Sequence, residues 1–175
     1  MASFPLHRQE RPWVAGHRGA AAHAPENTVA SFEMGVELGA DAIEFDIHES
    51  RDGHLIVMHD PEVARTTDGH GRIKDMTLEE LKRLDAGAWF GDRFRGERVP
   101  TLSEVLDWAH GRTPVIIEIK GDSQPAIGIE RKLVKALRDH SMVGDAILID
   151  YPGRLRGYLN QAAPDGPQEE GQWQP

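Results

Sequence analysis

Apolar and polar positions alternate with period two over 42–49: Ile43, Phe45 and Ile47 fall on one side, Glu44, Asp46 and His48 on the other. That is the pattern of a strand with one face in a core. Shorter apolar runs at 13–16, 55–59, 114–120 and 146–149 read as further strands. Between them the spacing turns helical. Val29, Phe32 and Val36 share a face of a helix over 28–38, with Asn27 as its cap and Gly39 just past its end. Ile129, Leu133 and Ala136 do the same for a helix over about 124–140. Short strands alternating with helices predict an α/β architecture rather than an all-β fold or a bundle.

Residues 61–100 break this rhythm. They are rich in Gly, Arg and Asp and hold one short helix, opened by Thr77 with Glu80 three positions on as a capping box. Met76 can staple that helix onto Leu81. The same box recurs as Thr101 and Glu104, opening a helix to about 110. After 149 the periodicity fades into Pro152, Pro164, Pro167 and Pro175 among Gly and Gln; a helical turn over 154–160 and disorder from 161 onward are expected. The chain thus divides into an N-terminal extension (1–12), a folded unit (13–149, with 61–100 inserted) and a tail (150–175).

Composition narrows the function. The 175 residues carry 20 Lys+Arg and 29 Asp+Glu, a net charge of −9, which argues against a nucleic-acid partner. With no Cys there is no disulfide framework, thiol nucleophile or thiolate metal site. No apolar run approaches the ~20 residues of a membrane span. The first twelve residues lack an apolar signal region, so a cytoplasmic location is expected.

The candidate chemistry sits at strand ends. His17-Arg18 lies between Gly16 and Gly19, which can let backbone approach a ligand. Glu44 and Asp46 share one strand face, as do Glu118 and Lys120. Isolated buried carboxylates cost several kcal/mol unless paired or bound to a cation, so these three acids together favour a divalent ion. Oxygen donors alone suit Mg²⁺ or Ca²⁺ better than Zn²⁺. Asp52-Gly53 is a two-residue hairpin signal that would set Asp46 opposite His59 and His48 opposite Val57; a parallel arrangement of the two strands is the competing geometry. His48, His54, His70 and His110 read as surface residues, and Glu118 with Lys120 as a plain ion pair is the bland alternative.

The order of these motifs resembles one family. His17-Arg18-Gly19, Pro25-Glu26-Asn27-Thr28, Glu44-Phe45-Asp46, His59-Asp60, Arg65-Thr66-Thr67 and Glu118-Ile119-Lys120 look like the glycerophosphodiester phosphodiesterases. The resemblance implies a TIM-barrel fold and hydrolysis of a small-molecule glycerophosphodiester to sn-glycerol 3-phosphate and an alcohol. It also implies one divalent metal held by Glu44, Asp46 and Glu118, with His17 and His59 as the acid/base pair. Arg18 and Lys120 would sit at the phosphate, and Glu26 and Asn27 would help build the site. The attacking group would be water or the substrate's own glycerol hydroxyl. A phospholipase of the same superfamily is the nearest rival, but no basic or amphipathic stretch suits a lipid surface.

The resemblance stops near 149. A complete barrel has eight strands and typically about 250 residues, and five strands are counted here. Asp150-Tyr151-Pro152 stands where the family has a Ser-Phe step, and a Trp-Thr-Val-Asn motif is missing. A truncated, frame-shifted or alternative end is expected. So is an incomplete barrel whose open sheet edges invite self-association, or an inactive metal-binding fragment that pairs with another chain.

Overall fold

A computed structural model describes residues 11–120 and 128–149. Its organising element is the strand with strict alternation, β2 (Ala42–Glu49). β1 (Ala15–His17) and β4 (Val115–Ile119) lie parallel on either side of it, and β5 (Ala146–Ile149) extends the sheet beyond β4 in the order β1-β2-β4-β5. Each parallel step is bridged by a helix: α1 (Val29–Glu37) links β1 to β2, and α4 (Ile129–Asp139) precedes β5. Helix α3 (Leu102–Ala109) leads into β4. The fifth strand, β3 (Leu55–Val57), pairs antiparallel with β2, which settles the competing geometries in favour of the hairpin.

The hairpin register differs by one residue from expectation. Val57 pairs with Ile47 and Ile56 with His48, so His59 is not opposite Asp46. The cause is the loop. Ser50 N donates to the carbonyl of His54, Gly53 N donates back to Ser50, and Gly53 holds φ at 86°. Arg51, Asp52 and Gly53 therefore form a three-residue loop with glycine in the left-handed position, where a two-residue turn was expected.

One face of the sheet is apolar. Ile43, Phe45 and Ile47 of β2 and Val115, Ile117 and Ile119 of β4 pack with Phe32, Leu106, Leu133 and Leu137 from the helices. Phe32 stacks against Phe45 at 5.7 Å and Trp108 at 5.8 Å between ring centroids. Burying each such side chain stabilises the fold by about 1.5–3 kcal/mol. The opposite face of β2 carries Glu44, Asp46 and His48, and it is buried as well. His48, expected at the surface, is only 7% exposed, and its Nε2 donates to the carbonyl of His59 at 3.0 Å.

Residues 61–100 form a second, smaller core. Ile56 and Met58 meet Val63, Ile73, Leu81 and Val99 there, with Met76 packed against them. Its helix α2 (Leu78–Arg83) carries the expected capping box from Thr77 and Glu80, and α3 carries the one from Thr101 and Glu104. Helix α1 is capped by Thr28, whose Oγ1 accepts from Ser31 N, rather than by Asn27. The readings for 124–127 and for the tail 150–175 lie outside the described residues, as does most of the 1–12 extension. Among the described residues no helix is long and apolar enough to cross a membrane.

Candidate active site

The strand register builds the site directly. His17 pairs with Glu44 across β1 and β2, and Asp46 pairs with Glu118 across β2 and β4. Registered residues on neighbouring parallel strands point the same way, so these four side chains occupy the polar face near the C-terminal ends of the strands. Ligand oxygens of Glu44, Asp46 and Glu118 all lie within 4.8 Å of one another. Asp46 is 1% exposed and Glu44 8%.

Backbone and side chains around the cluster hold it in place. The β1–α1 loop turns sharply, with Arg18 at φ 52° and Asn27 at φ 58°, both in the left-handed region rare for side-chain-bearing residues. Arg18 N donates to Glu44 Oε2 at 2.9 Å, and Asn27 Nδ2 donates to Asp46 Oδ2 at 2.9 Å. A side chain at Gly16 or at Gly19 would run into neighbouring backbone. A Cβ on Gly19 would stand 2.4 Å from Ser31 Oγ, the hydroxyl that accepts from Ala20 N and donates to the Arg18 carbonyl.

Two cations reach the acids. Lys120 Nζ donates to Glu118 Oε1 at 2.6 Å and lies 3.1 Å from Asp46 Oδ1. The Arg18 guanidinium donates through Nη1 to Glu26 Oε1 at 2.9 Å. Its Nε is buried without a hydrogen-bond partner, 3.6 Å from Asp46 Oδ2. His59 anchors Nδ1 on Asp60 Oδ1 at 2.6 Å and lines a small cleft with Glu26 and Asn27. An ionised carboxylate can only accept, so Nδ1 carries the proton and Nε2 keeps its lone pair.

Burial pushes the Glu44 carboxyl above its usual range; the Arg18 N–H draws it back, and the charges of Asp46 and Glu118 add to the rise. Burial alone would lower Lys120, yet its hydrogen bonds to Glu118 and Asp46 raise it, so the ammonium stays charged. Hydrogen bonds from Arg65 and then His59 hold Asp60 down at about 2 despite partial burial. For Glu26 burial is likewise outweighed by Arg65 and Arg18, and its carboxyl is lowered. A buried carboxylate that ionises reluctantly, beside two more, is a donor set suited to a hard divalent cation.

The structure thus brings together Glu44, Asp46, Glu118, Lys120, Arg18, Asn27 and Glu26, with His17 on the same face. His59 stands beside Glu26 and Asn27 rather than opposite Asp46. Two residues stayed outside the sequence-based site: His48, under the His59 backbone, and Arg65, which bridges Glu26 and Asp60. Both left a signal, His48 in its place on the Glu44-Asp46 face and Arg65 within the Arg65-Thr66-Thr67 string.

Parallel strands with helical crossovers and a carboxylate cluster at the strand C-terminal ends define an α/β protein of the TIM-barrel type with a cation-competent site. The model of the glycerophosphoryl diester phosphodiesterase family matches residues 17–148, and the chain belongs to that family. The glycerophosphodiester phosphodiesterase of Caldanaerobacter subterraneus subsp. tengcongensis is 47% identical over 139 residues, 79% of this chain and 57% of that relative. The crystal structure of an Agrobacterium tumefaciens glycerophosphodiester phosphodiesterase matches with a TM-score of 0.78 and 39% identity, covering 88% of this chain and 64% of that one. An Oleispira antarctica phosphodiesterase, solved in complex with the product sn-glycerol-3-phosphate, matches with a TM-score of 0.69 and 29% identity over 86% of this chain and 71% of its own. The chain spans about half the length of the curated relatives it matches.

Proposed function

We propose that this chain hydrolyses glycerophosphodiesters to sn-glycerol 3-phosphate and an alcohol. The observation that carries the reading is the convergence of buried Glu44 and Asp46 with half-buried Glu118, and the spare donor of Arg18 beside them. The carboxylates would hold one Mg²⁺ or Ca²⁺ ion, which when bound supplies positive charge against the phosphoryl oxygens. Arg18 and Lys120 add fixed positive charge at the same place, where negative charge grows in the transition state. His59, oriented through Nδ1, has Nε2 free to move a proton, and His17 stands on the Glu44 side of the cluster. One histidine takes the proton from the attacking oxygen as its bond to phosphorus forms; the other gives a proton to the departing alcohol oxygen as that bond breaks. The attacking oxygen belongs to water, or to the substrate's glycerol hydroxyl; in the second case the alcohol leaves as a cyclic phosphate forms, which water then opens to sn-glycerol 3-phosphate.

Among the described residues, β1 and β5 end the sheet, with Val14 just before β1 53% exposed and Ile149 of β5 46% exposed. Such edges accept a further strand, and self-association through them is the second reading. The test is release of glycerol 3-phosphate from glycerophosphocholine by gel-filtered fractions of the 175-residue chain, with Mg²⁺, with Ca²⁺ and with a chelator. Chelator-sensitive turnover that falls at least about a hundredfold in His59→Ala is expected for a lost proton-transfer group. Turnover that survives the chelator or the substitution would refute the proposal, and the mass of the active fraction decides whether pairing is needed.

A further inference from the structure

One guanidinium joins the two halves of this site. Arg65 closes a 3₁₀ turn (Val63–Arg65) whose Val63 is fully buried in the second core, and Thr67 Oγ1 donates to the Val63 carbonyl at 2.8 Å. From that anchored turn all three guanidinium nitrogens are used. Nη1 and Nη2 donate to Glu26 Oε2 and Oε1 at 2.9 and 2.8 Å, and Nε donates to Asp60 Oδ2 at 2.5 Å. Glu26 Oε1 also accepts from Arg18, while Asp60 Oδ1 accepts from His59. A continuous chain of charge-assisted hydrogen bonds therefore runs from Arg18 through Glu26, Arg65 and Asp60 to His59.

We propose that Arg65 is a positioning residue that sets Arg18 and His59 relative to each other, so that phosphate binding and proton transfer share one geometric frame. The inference rests on the hydrolase reading above for what Arg18 and His59 do. The planar fork is required because three donors must meet two carboxylates at fixed angles; a lysine supplies one point charge and can satisfy one side at a time. The frame is long in sequence and short in space, linking the β1–α1 loop, the turn after β3 and the inserted segment. Positional errors near 1 Å at a reacting group cost about a hundredfold in rate, so loss of the frame is felt on both arms.

The test compares Arg65→Gln and Arg65→Lys with the parent chain on glycerophosphocholine, counting only the folded fraction from the far-UV melt. Arg65→Gln is expected to lower kcat and raise KM, each by about tenfold or more, because it loosens the proton-transfer and phosphate arms together. Arg65→Lys is expected to recover one of these and not both. A change confined to melting temperature, a change in only one constant for Arg65→Gln, or full recovery with Lys would overturn the proposal. A second readout does not need turnover: ¹⁵N NMR of the His59 ring. The parent chain is expected to hold His59 as the Nδ1–H tautomer and Arg65→Gln to mix the two; an unchanged tautomer would overturn the bridge. If the parent chain shows no turnover, the hydrolase reading fails, and the NMR result alone decides whether Arg65 orders His59.

Discussion

Glu44 is the residue at which fold and proposed function conflict. Its carboxyl is nearly buried, and burial, with Asp46 and Glu118 nearby, raises its pKa above that of an unfolded glutamate. A carboxyl raised on folding contributes stability at low pH that is lost as pH rises through its folded pKa. Above that pKa the metal-free chain bears a cost at Glu44. Glu44→Gln removes that cost and keeps an oxygen to accept from Arg18 N. In chelator, its melting temperature at pH 7 is expected to exceed the parent's, and the gap to close as the pH is lowered. An equal or lower melting temperature would mean that the carboxylate is already compensated by neighbouring charge. Asp46 is buried too, with its own partners: Asn27 donates to one oxygen, and Lys120 lies against the other. That is why Asn27 leaves the capping position the sequence suggested for it.

Among the elements, the alternation in β2, the two capping boxes and the last strand were all legible from the chain alone. β2 and β5 fall at the residues read from sequence, Ala42–Glu49 and Ala146–Ile149. Each capping box unites an N-cap threonine with a glutamate three positions on, a local signal that tertiary contacts did not override. Thr77→Ala and Thr101→Ala should each cost about 1 kcal/mol of stability in urea unfolding, since each strips a hydrogen bond from a helix N-terminus. Costs near zero would mean that Glu80 and Glu104 hold those turns alone. The hairpin register was not legible, for a plain reason. Asp52-Gly53 suits both a two-residue turn and the end of a three-residue loop. A two-residue turn would need positive φ at Asp52 as well as at Gly53; Asp52 does not have it, and the Ser50–His54 hydrogen bond closes the longer loop. A one-residue shift exchanges strand faces, so the placement of His59 opposite Asp46 failed while its proximity to Glu26 and Asn27 did not follow from pairing at all. His48 escaped for a related reason: alternation marked its face as polar, and nothing local says that a polar face is buried.

For the whole molecule, the sheet has an apolar side that carries the helices and a polar side that carries the carboxylate cluster, and the second core pins the inserted segment against β3. The carboxylate cluster was readable because period-two alternation and motif order both point to it; the Arg65 bridge was not, because it joins residues 39 positions apart through a turn with no regular pattern. Binding of an ion to the folded state alone stabilises the chain by about 2.7 kcal/mol at a hundred times its dissociation constant, so site and fold are thermodynamically linked. The central claim is that Glu44, Asp46 and Glu118 act together on one divalent cation. Isothermal titration of Mg²⁺ and of Ca²⁺ into the metal-free chain tests it, with Glu44→Gln, Asp46→Asn and Glu118→Gln alongside. One ion bound per folded chain is expected, weakened at least about tenfold by each substitution, as loss of one charged ligand requires. No measurable binding to a folded chain, or binding that the three substitutions leave intact, would contradict it.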